Sequence, residues 1–321
     1  MAERCLEILE KYDFEVQQVT KGRGVFIIVT DMGKLILKEY SGSGKYVEAT
    51  SGILERLNEE GRIHTDSYIR NSDGEIISTA LDESRYIVKR WYDCRDFDIR
   101  SVSDVSRAMS GLAILHNSLE KQDCDDFKHE AGNPCDAMKK HNRELYKIKK
   151  FIIKKNYKTD FERLVIKSID EYIDEGESAE KCCQDYLMRH SGGISLCHGN
   201  YNYHNVHFMD RDIVISNFEK MHRDYFVIDM YEMMRKLLEK YDWNIKLGHK
   251  LLADYDRERR ITDSEISLLA RMFSYPEKYW KIVNAYYNSK KSWMPVKNSE
   301  KLIKVIRQNR ARWEFVATIS G

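Results

Sequence analysis

Residues 196–220 constrain this chain more than any other stretch. Leu-Cys-His-Gly-Asn-Tyr-Asn-Tyr-His-Asn-Val fills 196–206, and Val-Ile-Ser-Asn-Phe-Glu-Lys fills 214–220. Between them, 206–209 and 213–215 read as two short strands around an Asp210-Arg211-Asp212 turn. The two polar segments are therefore the two ends of one hairpin. His198-Gly199 opens the first, Asn200 follows, and Asn205 comes after four more residues; Asn217 leads the second. A fold that accepts this spacing brings three neutral amides to one cleft.

What surrounds the hairpin changes character along the chain. Residues 14–20, 25–30 and 35–40 read as strands, separated by the Lys21-Gly22-Arg23-Gly24 and Asp31-Met32-Gly33 turns. A helix is predicted over 45–59, where Val47, Ile53, Leu54 and Leu57 are apolar, and further strands over 63–69, 76–81 and 86–91. Trp91-Tyr92-Asp93 then acts as a hinge. Beyond it the pattern is helical near 102–119, 136–155, 160–189, 228–240, 244–257, 263–273, 276–290 and 298–314. The expected division is a β-rich lobe over 1–91 and a helical lobe over 92–321. This is the element order of a two-lobed, protein-kinase-like α+β fold.

Composition excludes several function classes. The 321 residues suffice for a large buried core. With 53 Lys and Arg against 52 Asp and Glu, there is no global pull toward nucleic acid or a membrane surface. No run approaches the roughly 18 apolar residues of a membrane span. The N-terminal segment is charged and amphipathic, so the expectation is a chain made in a cytoplasm. The seven cysteines show no metal-binding spacing and read as core thiols in a reducing compartment.

Phosphoryl transfer needs a cover for the phosphates, a lysine to hold them, a metal site and an aligning base. The first hairpin, with Gly22 and Gly24, is the candidate cover, because glycines let backbone N–H groups approach phosphate oxygens. The lysine is Lys38 on the third strand, with Lys34 as its rival. Its acid partner on the following helix is Glu48 or, one face later, Glu55, with Glu48 preferred. Asn200 stands at the base position and cannot take a proton from a hydroxyl; losing such a base costs about 10²–10⁴ in rate. Asn205 and Asn217 stand at the metal positions and offer only neutral carbonyls, whereas Mg²⁺ favours carboxylates. Asp210, Asp212 and Asp224 lie near enough in sequence to compensate, but read better as solvated turn residues. His116 and His204 read as hydrogen-bonded core or loop groups. Tyr275, Tyr279, Trp280, Tyr286, Tyr287 and Trp293 have partly helical spacing, and one helix cannot bury them all on a narrow stripe. The expectation is that some face outward as interface anchors, with core packing as the competing reading.

These residues, together with 91–118, Asp229 to Trp243 and Ser274 to Trp293, resemble the CotS-type spore coat proteins. That family shares the aminoglycoside phosphotransferase and choline kinase-like fold. The similarity runs over nearly the whole chain. It implies Lys38 as the ATP lysine, Asn200 in the catalytic-Asp position beside His198, and Asn205 and Asn217 in the metal positions. It also implies Asp229 as a structural carboxylate opening a helix. The implied role is a spore coat component made in the mother-cell cytoplasm, with other coat proteins as partners. The departures at Asn200 and Asn217 make it a pseudokinase by residue type, with ATP and weakly held Mg²⁺ as the ligands the fold allows. The alternative is an ATP-dependent small-molecule phosphotransferase acting on a hydroxyl.

Overall fold

The first ninety residues fold largely as their alternation predicts. In this computed structural model, which describes residues 2–22, 24–122, 127, 134–189, 193–288 and 295–320, helix α1 (Ala2–Leu9) precedes three antiparallel strands. These are β1 (Val16–Lys21), β2 (Phe26–Thr30) and β3 (Gly33–Glu39). Helix α2 (Gly44–Glu60) follows and ends on Gly61, whose φ of 68° is left-handed. Then come β4 (His64–Thr65), β5 (Tyr68–Ile69), β6 (Ile77–Thr79), β7 (Arg85–Arg90) and β8 (Arg95–Asp96). The main sheet runs β1-β2-β3-β7-β5, with β6 also on β7. Its apolar face (Ile28, Leu35, Leu37, Val88) closes on Cys5, Ile8 and Leu9 of α1. Each of these buried side chains adds about 1.5–3 kcal/mol over leaving it in water.

One expected strand is two. The 63–69 run breaks at Asp66, where Ser67 N–H bonds to Thr65 O at 2.8 Å and turns the chain. The polar side chain of Asp66 goes inward instead of continuing a ladder. As a result β4 leaves for a second sheet, while β5 stays on β7.

Helix α3 (Val102–Leu119) matches its predicted bounds and is capped by Ser101, whose side chain accepts from Asp104 N–H. Helices α4 (Pro134–Lys154) and α5 (Asp160–Arg189) come next, then β9 (Ile194–Cys197) and the expected hairpin, β10 (Val206–Met209) with β11 (Asp212–Ile215). The hairpin register pairs Val206 with Ile215. It forms a sheet in the order β4-β11-β10-β8. Strand β12 (His222–Tyr225) leads to α6 (Phe226–Lys240), α7 (Ile245–Glu258), α8 (Asp263–Ser274), α9 (Glu277–Asn288) and α10 (Pro295–Ile319). Among the described residues no helix is long and apolar enough to cross a membrane.

The chain forms two compact units, each discontinuous in sequence. Met1–Lys128 joins Ser195–Arg223, and His129–Ile194 joins Asp224–Gly321. The division at residue 91 is one of composition, β-rich before and helix-rich after; the compact units are cut elsewhere. The hairpin strands hydrogen-bond to β4 and β8, which draws the 196–220 segment into the first unit.

The second unit is helical. Leu145, Ile148 and Ile152 of α4, Phe161, Val165 and Ile169 of α5, and Tyr279, Ile282 and Val283 of α9 share one core with Leu302 of α10. Here the expectation of outward-facing aromatics is corrected. Tyr279 is fully buried and stacks on Tyr172 with ring centroids 3.8 Å apart. Trp280 is half-buried and donates to Glu144 at 2.8 Å, while Tyr286 stacks on Phe161 at 4.2 Å. Tyr287 O–H donates to Glu162 at 3.2 Å. Because both α4 and α5 flank α9, it buries more than the single stripe that one neighbour would cover. Trp293 lies outside the described residues.

Helix α8 opens on a reciprocal cap. Thr262 accepts from Glu265 N–H, and Glu265 reaches back to Thr262 N–H at 2.8 Å. Thr262→Ala should cost about 1 kcal/mol, read as a lower denaturant midpoint with an unchanged slope. A change within about 0.2 kcal/mol would mean that the cap adds nothing to this helix.

Candidate functional site

The site is built in the first unit, around a buried histidine. Strand β9 carries Leu196 and Cys197 into the core and delivers His198 fully buried against Phe218, with ring centroids 4.5 Å apart. Asn200 N–H donates to His198 Nδ1 at 3.1 Å, so that nitrogen carries the lone pair. The other, Nε2, carries the proton and faces Ser216 O at 3.1 Å. Both ring nitrogens are thus engaged by backbone. His198 ties the two ends of the hairpin together. Gly199 makes the turn at φ 73°, in the left-handed region.

A chain of amides crosses the site. Asn205 Nδ2 donates to Asn200 O at 2.9 Å, which fixes the orientation of the Asn205 side chain. Its Oδ1 therefore faces Asn217, whose Nδ2 donates to it at 2.8 Å. Asn202 Nδ2 also bonds to Asn200 O, at 2.7 Å. Asn217 sits at φ 67°, a conformation Asn tolerates better than most residues. Of the three amides expected to converge, Asn205 and Asn217 bond side chain to side chain; Asn200 joins them through its main-chain carbonyl, while its own Oδ1 accepts from Asn202 Nδ2 at 3.3 Å.

Beside them lies an ionic network. Lys38 Nζ and Lys89 Nζ lie 3.1 Å and 3.2 Å from the same oxygen, Oε1 of Glu219. Lys89 also meets Asp66 Oδ2 at 2.5 Å, and that oxygen accepts Asn217 N–H at 3.0 Å. Burial alone would raise the Glu219 carboxyl; the Lys89 and Lys38 ammoniums outweigh it and hold it at about 2. Burial works against the charge of Lys89, but Asp66 and Glu219 restore it and raise its pKa. Asp66 is pushed up by its burial, with Lys89 opposing. The segment after Asn217 is held from α2 as well. Tyr46 Oη lies 3.1 Å from Phe218 O and 2.9 Å from Met221 O.

Lys38, and not its rival Lys34, reaches this network; Lys34 pairs with Asp93 at the surface, at 2.6 Å. The expected Lys38–Glu48 pairing is corrected. Glu48 is bound by Arg70 at 3.2 Å and 2.8 Å, and Glu55 accepts from Ser51 at 2.9 Å. Glu219 supplies the acid instead, from the Asn-Phe-Glu segment rather than from α2. Gly22 and Gly24 form the β1–β2 turn, closed by Gly22 N–H to Val25 O at 2.9 Å, with Gly24 at φ 76°; Arg23 lies outside the described residues. Asp210 and Asp212 are exposed in the hairpin turn, where Arg107 donates to their backbone carbonyls at 3.1 Å and 3.3 Å. In the second unit, Asp229 is buried in the first turn of α6, as the resemblance implies. Sequence reasoning missed Asp66 and Lys89. Lys89 follows the apolar run Tyr86 to Val88 and precedes Arg90, so nothing local marked it as buried.

The donor set decides how Mg²⁺ would fare. The ion wants anionic oxygen. Asn205 and Asn217 offer neutral amides, and the Asn205 carbonyl already accepts a hydrogen bond. The carboxylates of the neighbouring network hold lysines. As arranged, these residues do not fit a protein-held Mg²⁺.

The fold is that of small-molecule phosphotransferases. An aminoglycoside phosphotransferase from Alicyclobacillus acidocaldarius superposes with a TM-score of 0.85 at 19% identity, covering 97% of this chain and 94% of that one. The amicoumacin kinase hAmiN, solved with AMP-PNP, Ca²⁺ and Ami, gives 0.62 at 14% identity, with 99% and 93% covered. The spectinomycin phosphotransferase APH(9)-Ia, solved with ADP and spectinomycin, gives 0.62 at 12%, with 97% and 98% covered. No curated protein matches the chain. The family profile described as "Spore coat putative kinase YutH" matches residues 6–319. From the first turn of α1 to the last of α10, then, this chain is a member of the YutH family of spore coat kinase-fold proteins.

Proposed function

We propose that the protein is a structural or assembly component of the spore coat, a pseudokinase that keeps the phosphotransferase fold without its chemistry. The observation that carries this reading is the neutral run from the Asn200 main-chain carbonyl through the bonded Asn205 and Asn217 side chains, which leaves an amide, Asn200, where phosphoryl transfer needs a base and no anionic ligand at the metal positions. Family membership supports the coat as its location, with synthesis in the mother-cell cytoplasm and other coat proteins as partners. A nucleotide entering the cleft would meet Lys38 and the Gly22–Gly24 turn, with Glu48 remaining on Arg70. The nucleotide-bound structures of similar fold support ATP as the ligand to test.

Calorimetry with ATP in EDTA and in Mg²⁺ is the direct test. Mg²⁺ should change the affinity by less than about tenfold, which is 1.4 kcal/mol. In the Asn200→Asp, Asn217→Asp double variant the ion should tighten binding by more than that. Turnover of about 1 s⁻¹ or faster on a hydroxyl acceptor would sink the reading and favour an active phosphotransferase.

A further inference from the structure

Two helices of the second unit present ridges of opposite charge side by side. Along α4, Arg143, Lys147, Lys150 and Lys154 recur at intervals of four, three and four residues, and all are exposed. That spacing places them on one face, with neighbours about 5–6 Å apart. None of the four forms an ion pair among the described residues. Along α5, Asp170, Asp174 and Glu177 are exposed at intervals of four and three. Lys149 pairs with Asp170, and Tyr146 O–H donates to Glu177 at 3.0 Å. These cross-links set the acidic ridge level with the basic one. On the flank between them Tyr146 is 38% exposed and Ile153 56% exposed.

A basic ridge, an apolar seam and an acidic ridge of matching period make a surface complementary to itself. We propose that this α4–α5 face pairs two copies of the chain. A two-fold axis along the seam lays α4 of each copy on α5 of the other. Lys147 and Lys150 then meet Asp174 and Asp170 of the second copy, and Ile153 and Tyr146 form the dehydrated centre. The arrangement is isologous, so one surface supplies both halves of the contact. An arrangement that lays α4 on α4 and α5 on α5 sets like charges opposite each other, which disfavours that orientation.

Sedimentation equilibrium of the full chain tests this with charge swaps. Wild type should dimerise at about 20 mM salt and associate at least about tenfold more weakly at 300 mM, where exposed charges are screened. Lys147→Glu with Lys150→Glu should be monomeric, and so should Asp170→Lys with Asp174→Lys. An equimolar mixture of the two variants should recover the dimer, because each then offers the ridge that the other lacks. Melting curves confirm that each variant is folded. A variant that does not fold is replaced by its neutral counterpart, such as Lys147→Gln with Lys150→Gln, which should still weaken association. A monomeric wild type at low salt, a dimer indifferent to the reversals, or a mixture that stays monomeric would each overturn the proposal. Monomers that bind poly-L-glutamate would also overturn it, and would assign the basic ridge to an acidic partner.

Discussion

Replacing Lys89 with Met should remove about 3–5 kcal/mol of stability near neutral pH, the cost of leaving a buried charge without its partner. Lys89 is 2% exposed and is the ammonium held by both Asp66 and Glu219. Methionine nearly matches its volume, so the loss comes from charge rather than from a cavity. Glu219 keeps Lys38 in the variant, whereas Asp66 keeps only the Asn217 N–H. The variant should therefore recover stability on acidification. A carboxyl whose folded-state pKa lies above its unfolded value stabilises the fold when protonated, and that contribution fades as pH rises through the unfolded pKa toward the folded one. Asp66, raised by burial, has this sign. Glu219 has the opposite one. Held at about 2, it contributes stability above its unfolded pKa that is lost as pH falls through that range. Wild type and variant curves should therefore converge in acid. Urea unfolding at pH 7 and pH 5 checks this, and an equal deficit at both would show that Asp66 is not the group left unpaired.

Gly199→Ala should be comparably damaging, for a backbone reason. At φ 73° an L side chain costs about 1–2 kcal/mol before any contact is considered. A Cβ there would also lie 2.1 Å from Lys220 O and 2.6 Å from the His222 ring. Backbone cannot swing aside as a flexible side chain can, so a displacement costing about 1–3 kcal/mol more is expected. The sum is about 2–5 kcal/mol, a melting-temperature drop of roughly 4 °C or greater. Gly61→Ala is the control. It shares a positive φ of 68°, but nothing lies within 4 Å of its Cβ position. It should lose only the conformational part. Similar losses at the two sites would mean that the 199–220 contact is softer than the geometry implies.

The sequence carried the local structure well and the long-range structure poorly. Strands β1 to β3 and helices α3 and α5 were legible because alternation and helical period are local signals. The Asn200, Asn205 and Asn217 cluster was legible because a hairpin of fixed length sets the separation of its two ends. Lys89 was not. Its partner Glu219 lies 130 residues away, and without that partner a strand lysine reads as solvent-facing. The choice of acid for Lys38 failed for the same reason, since helix α2 is the nearer source in sequence while Glu219 lies 181 residues on. The aromatic helix was misjudged because a single helix has no way of recording how many neighbours flank it.

The amide chain also bears on how the hairpin is assembled. Two aspartates at the positions of Asn200 and Asn217 would crowd negative charge onto loops that Asn205 joins, and such an arrangement relies on dissolved cations to come together. Amides need none. Asn217 and Asn205 close at 2.8 Å as donor and acceptor, and neither side chain titrates. The Asn205–Asn217 link can therefore close in a medium rich or poor in divalent ions, and without either side chain gaining or losing a proton. Where ionic surroundings vary, the closing of these two loops is a property of the polypeptide alone.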